Sequence, residues 1–328
     1  MTVLPRTALG FALIAAAVVA AGSPAAALRP YAQDQRPPTF RSGASAVAVD
    51  VTVVHRTRRP MTGLKAEDFE VLDNGIRQQV DDVSYGKLPI DVTVALDVSF
   101  SVTGALLDRL RRGVLQLMGD LGREDRLKLM LFNMRVNRTV DFTTDVKAVE
   151  NAIRSASAGG GTALLDATSV ALVSASSPAR RQLIVVFTDG SDSSSTTSPE
   201  VLTAVAQRTR GTLAFVMPQV GSSTWLTPTL TSPVRSTKSL PTTAESRANG
   251  SLTQLFSTLA RETGGTVVPV GSEADLAATF RTILGEFRSA YVLYYTPRGV
   301  DAPGYHTIEV KVKPADARVQ ARRGYFGS

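Results

Sequence analysis

Asp97, Ser99 and Ser101 set one carboxylate and two hydroxyls on alternate residues, just where the apolar run Val92-Thr93-Val94-Ala95-Leu96 stops. This hard oxygen set, without sulfur or imidazole, suits magnesium, manganese or calcium rather than zinc. Alone the triplet is weak, because a turn rich in Asp and Ser is more often the N-cap of a helix. Two later stretches supply partners. Gly159-Gly160-Gly161-Thr162 delivers another hydroxyl from a glycine loop, and Val185-Val186-Phe187-Thr188-Asp189-Gly190 ends a second apolar run in a carboxylate.

The elements that must position these groups are strands. β-branched runs at 92–96 and 183–187 read as buried strands, and residues just past such strands lie at the carboxyl edge, where open α/β sheets place their ligand sites. From Asp91 onward, strands (127–132, 135–142, 183–187, 212–217, 266–268) alternate with helices (104–118, 145–156, 162–176, 199–209, 252–261, 273–287). That alternation predicts an α/β fold with a doubly wound, mostly parallel sheet covered on both faces. Residues 219–250, rich in Ser and Thr with Pro228, Pro233, Pro241 and the only tryptophan, Trp225, break the rhythm and read as a flexible insertion.

On either side the chain changes character. Residues 46–54, 69–72 and 78–80 have strand composition, the last two around Asn74-Gly75, a dipeptide that type I′ hairpins favour. Strands recur at 291–295, 307–312 and 319–320. Each flanking segment alone would expose too many strand edges. The N-terminal and C-terminal segments, 43–88 and 289–328, are therefore expected to pair into one smaller β-sandwich-like module beside an α/β domain at 89–288. Asp68-Phe69 and Asn74-Gly75 read as turn chemistry with a buried aromatic.

The three oxygen-bearing motifs, DxSxS at 97–101, GGT at 160–162 and TDG at 188–190, resemble in their order the metal-ion-dependent adhesion site (MIDAS) of von Willebrand factor A-type (VWFA) domains. The resemblance implies a six-stranded sheet in which 135–142 is the one antiparallel strand. It also implies a divalent cation, Mg2+ with Mn2+ or Ca2+ as substitutes. Ser99, Ser101 and Thr162 would bind it directly or nearly so, while Asp97 and Asp189 act through water or orient the hydroxyls. Magnesium takes about six oxygens, so one position stays open to water or to an Asp or Glu carboxylate from a protein partner. Phe100 and Gly190-Ser191-Asp192 would rim it, with Asp192 read as a solvated loop acid. The segment "GLKAEDFEVLDNGIRQQVDDVSYGKLPIDVTVALDVSFS" and the closing Arg323-Gly324-Tyr325 are further similar to a bacterial family of exported VWFA-related proteins of Acidobacteria type, departing from its pattern at Asn74.

Composition bounds these readings. The chain has 328 residues, 43% hydrophobic and 20% charged, enough for a substantial core. Arg6, the apolar run at 8–21 and Ala25-Ala26-Ala27 have the layout of a secretory signal peptide over 1–27. The run is shorter than the roughly 20 residues of a spanning helix, so the expectation is an exported protein, periplasmic or extracellular, with no membrane span after cleavage. Residues 28–42, with Pro30, Pro37 and Pro38, read as a linker. The formal charge of +7 falls to +6 without Arg6. The basic clusters around Arg56, Arg109, Arg180-Arg181 and Arg322-Arg323 are short and scattered and read as solvated faces, which argues against nucleic acid. Without cysteine there is no disulfide framework and no thiolate site.

A serine nucleophile would need a base, yet the only histidines, His55 and His306, fall in the flanking β segments. Metal-assisted hydrolysis lacks an obvious base as well. The expectation is a non-enzymatic module for metal-dependent protein–protein interaction or adhesion. The alternatives are a structural envelope protein with a vacant metal site and, more remotely, a metal-dependent hydrolase.

Overall fold

The computed structural model describes residues 46–218, 243–270, 276–300 and 303–327, apart from positions 58, 87, 103, 175 and 178. The expected signal peptide, linker and most of the 219–250 insertion lie outside these residues.

The central strand is β5 (Ile90–Asp97), buried along its whole length. Around it stand β6 (Arg126–Phe132), β7 (Val136–Thr143), β8 (Arg181–Phe187), β9 (Thr212–Pro218) and β10 (Thr266–Val270), in the order β10-β9-β8-β5-β6-β7. All neighbours are parallel except β7, which runs antiparallel on β6. The period of two in a strand divides the side chains between two faces. Val92, Val94 and Leu96 of β5, with Leu183, Val185 and Phe187 of β8, enter one core under α1 (Gly104–Asp120), α2 (Val146–Arg154) and α6 (Leu276–Arg288). Ala95, Ile184 and Val186 enter the other, under α3 (Leu164–Val173), α4 (Pro199–Arg208) and α5 (Thr243–Thr263). Both faces being covered is why these strands read as unbroken apolar runs.

The flanking segments form two four-stranded antiparallel sheets over a third core. One has β13 (Ala317–Ala321), β1 (Val47–His55), β11 (Tyr291–Tyr295) and β4 (Asp82–Tyr85) in that order; the other has β14 (Gly324–Gly327), β12 (Gly304–Val312), β2 (Phe69–Asp73) and β3 (Ile76–Gln78). Val49, Val51, Tyr291 and Leu293 from the first meet Phe69, Val71 and Ile308 from the second. The fold is therefore the expected mostly parallel α/β sheet with a sandwich built from both ends of the described chain. The turn between β2 and β3 has positive φ at Asn74 (48°) and Gly75 (80°), the requirement of a type I′ turn. Asn74 Oδ1 also accepts from Thr307 N (2.8 Å), so the turn is tied to β12.

Three expectations change. Helix α5 starts at Thr243, inside the stretch read as an insertion, because its polar first turns hide the apolar period that appears only from Leu252. Strands β4 and β14, of four residues each, are additions to the expected strands. The arginines read as solvated are partly structural. Arg181 and Arg322 are buried; Arg181 pairs with Asp50 and donates to Phe287 O (2.7 Å), and Arg322 donates to Gly324 O (2.7 Å) and Thr209 O (2.9 Å). Acidic groups and carbonyls at the amino edge of the sheet draw these side chains inward.

Candidate metal centre

The three motifs meet at the carboxyl edge of the parallel sheet. β5 ends at Asp97, and the chain beyond it is fastened on both sides. Val98 N donates to Phe132 O (2.8 Å), Gly159 N to Val98 O (2.9 Å) and Phe100 N to Gly160 O (3.1 Å). These bonds lay the DxSxS loop against the glycine loop. Asp97 Oδ1 accepts from Ser99 N (2.8 Å), a local side-chain turn that fixes the carboxylate. Ser99 Oγ and Ser101 Oγ stand 3.0 Å apart, so both hydroxyls face one place.

β8 brings the next pair. Thr188 Oγ1 donates to Asp97 Oδ2 (3.1 Å) and accepts from Gly190 N (3.1 Å), binding the TDG turn to β5. Asp189 Oδ1 accepts from Ser191 N (2.9 Å). Thr162 is held by the loop after Asp189: its carbonyl accepts from Ser193 N (2.9 Å) and Ser194 N (3.0 Å), and its amide donates to Ser193 Oγ (3.0 Å). Of the five residues expected from sequence, Asp97, Ser99 and Thr162 are buried, and Ser101 and Asp189 are half-buried.

Burial is the main reason the Asp97 carboxyl is pushed up to about 6; hydrogen bonds from Ser99 oppose it and the neighbouring Asp189 charge adds to it. Among the described residues neither carboxylate has an ion-pair partner. A buried carboxylate bordered by the Ser99 and Thr188 hydroxyls, with a second carboxylate nearby, is a donor set that fits a hard divalent cation. No group of three or more His, Cys, Asp or Glu suited to a metal occurs among the described residues, so any cation here depends on hydroxyl oxygen.

Asp192 is not the solvated acid expected. Its Oδ2 accepts from Leu165 N (2.9 Å) and Ser195 Oγ (2.6 Å), and its Oδ1 from Ser195 N (3.1 Å). It therefore satisfies a free amide at the start of α3 from a different loop. Asp166 answers from α3, accepting from Thr197 N (2.8 Å) and Thr196 N (3.1 Å). Burial raises its carboxyl, but these hydrogen bonds outweigh burial and hold it below the usual range. Asn133 Nδ2 donates to Gly159 O (2.7 Å). Sequence reading missed this supporting layer; its one signal was the run Ser191 to Ser198, dense in small hydrogen-bonding side chains after TDG.

The histidines are elsewhere. His55 pairs with Asp316 at the surface, and His306 is buried in the sandwich against Asp73 (2.8 Å).

No curated protein sequence matches the chain significantly. Among solved structures it is similar to a von Willebrand factor type A protein from Catenulispora acidiphila (12% identity, 87% of this chain and 73% of that one, TM-score 0.45). It is also similar to BatB from Bacteroides thetaiotaomicron (21%, 61% and 100%, TM-score 0.42) and to the PilB minor pilin from Streptococcus sanguinis (14%, 62% and 62%, TM-score 0.42). No helix among the described residues is long and apolar enough to cross a membrane. Residues 92–191, which hold all three oxygen-bearing motifs, match the family model of the von Willebrand factor type A domain.

Proposed function

We propose that the chain is an exported, non-enzymatic binding protein. Asp97, Ser99, Ser101, Thr162 and Asp189 hold a divalent cation, magnesium first, and a protein partner completes its coordination with an Asp or Glu carboxylate. The observation that carries this reading is the fastening of DxSxS, glycine loop and TDG turn at one sheet edge, with two carboxylates and the Ser99–Ser101 hydroxyl pair brought together. When bound, the cation supplies a positive centre that attracts an anionic oxygen. The chain's own residues do the rest: the Asp97 carboxylate is fixed by Ser99 N and Thr188 Oγ1, and the Ser99 and Ser101 hydroxyls stand 3.0 Å apart beside it. Export rests on the signal-like layout of 1–27, and membership of the exported bacterial family on the motifs outside the matched segment.

Titration calorimetry with magnesium and manganese tests the metal. Binding is expected for the intact chain and its loss in Asp97→Ala and Asp189→Ala, whose circular dichroism stays native because both groups lie at the rim of the sheet. A chain that binds neither ion, alone or with a carboxylate-bearing partner, would be a scaffold instead. Hydrolytic turnover abolished by Asp97→Ala would make it an enzyme.

A further inference from the structure

Two large apolar side chains stand in solvent beside this oxygen cluster. Phe100 is 74% exposed and Met134 is 59% exposed. They reach adjacent places on one loop: a methyl group added at Gly159 would lie 3.8 Å from the Phe100 ring, and one added at Gly160 would lie 3.1 Å from Met134 Cγ. Successive Cα atoms are only ~3.8 Å apart, so the ring and the thioether approach neighbouring positions of the bare glycine backbone.

Isolated exposed apolar residues are common and call for no explanation. This pair differs in three respects. It is held in place from beneath, by the bonds from Phe100 N to Gly160 O (3.1 Å), from Asn133 Nδ2 to Gly159 O (2.7 Å) and from Ala163 N to Asn133 O (2.6 Å). It adjoins the hydroxyl-bearing residues along the chain: Phe100 sits between Ser99 and Ser101, and Gly161, where an added methyl would lie 3.7 Å from Met134 Cγ, precedes Thr162. Its residue types, an aromatic and a thioether, are those enriched in the cores of protein interfaces, the thioether adapting to different shapes.

We propose that Phe100 and Met134 are the specificity surface of the site, receiving a bulky apolar side chain next to the partner's carboxylate. The partner is thus a polypeptide segment in which Asp or Glu is flanked by a residue such as Leu or Phe. The inference rests on the metal reading above. Charge complementarity places the acid: the two site carboxylates call for a cation, and the cation calls for an anionic oxygen. A small free carboxylate would leave the Phe100 ring in water, whereas a flanking apolar side chain would cover it.

The test uses the full chain, magnesium and two synthetic peptides alike except that Glu is followed by Leu in one and by Ser in the other. The Leu peptide is expected to bind at least about tenfold more tightly, the scale at which a central apolar anchor contributes. Phe100→Ala and Met134→Ala should each erase most of that preference while magnesium titrated without peptide still binds. Magnesium binding with equal affinity for both peptides, or a preference untouched by Phe100→Ala, overturns the specificity surface and leaves the metal centre standing. Failure of magnesium itself to bind removes both. Magnesium-dependent self-association abolished by Phe100→Ala would assign this face to a second copy of the chain and overturn the peptide.

Discussion

At the scale of single residues, the site depends on two glycines of its loop, Gly160 and Gly161, where a side chain would be crowded. Gly160 has φ of +78°, and an added methyl would press on Met134 at 3.1 Å; at Gly161 it would meet the Ser193 and Ser194 hydroxyls at 2.7 Å. Gly160→Ala is expected to cost about 1–2 kcal/mol, from a left-handed backbone and a crowded side chain together. Urea denaturation should show this as a lower midpoint with unchanged slope. The ligand residues were legible in the sequence because residue type and order carry their chemistry: Asp97, Ser99, Ser101, Thr162 and Asp189 are oxygen donors wherever the chain places them. Asp192 was not legible. Its role is to accept from an amide 27 positions earlier in the chain, and nothing local distinguishes that from a loop acid in water.

At the scale of elements, the start of α3 and the loop after β8 are stitched together by a reciprocal exchange, Asp192 onto α3 and Asp166 back onto Thr196 and Thr197. This exchange ties the helix that follows Thr162 to the loop that follows Asp189. Asp166→Ala removes the acceptor for two amides and should destabilise by roughly 1–3 kcal/mol. Magnesium affinity measured by calorimetry should also fall, although Asp166 is not among the proposed ligands; an unchanged affinity would mean that the loop is held by other bonds. Strands buried on both faces declare themselves as long apolar runs, so β5, β6, β8 and β9 were legible. Strands β4 and β14 have four residues each and little apolar patterning, and their pairing is decided by partners far along the chain. The polar start of α5 was hidden for a similar reason.

At the scale of the whole molecule, ion pairs at the amino edge of the parallel sheet join what the sequence keeps apart. Arg181 on β8 reaches Asp50 on β1 and lies over the Phe287 ring at 4.0 Å, linking sandwich, sheet and α6. Beside it Asp91, fully buried, accepts from Arg126 (2.9 and 2.7 Å), Arg180 (2.6 Å) and Ser176 (2.8 Å). Burial alone would raise its carboxyl, but these donors outweigh burial and hold it below the usual range. A carboxyl depressed on folding contributes stability that is complete above its unfolded value, about 3.9, and is lost as pH falls through the folded value. Asp91→Asn should therefore be less stable by roughly 3 kcal/mol at pH 7, the order for removing one partner of a buried pair. Denaturation repeated at lower pH should show the gap closing below about pH 4 as the wild-type carboxyl protonates. The pairing of β4 with β11 has a topological meaning. Tyr85 and Tyr291 are direct register partners, so the entire α/β domain leaves and re-enters its host between two neighbouring strands, as a guest lodged in the loop of a hairpin. While the guest is unfolded, forming that hairpin means closing a loop of about two hundred residues, with the entropy such closure costs. Once folded, the guest presents both its ends together, and the host sandwich has only a short gap left to close.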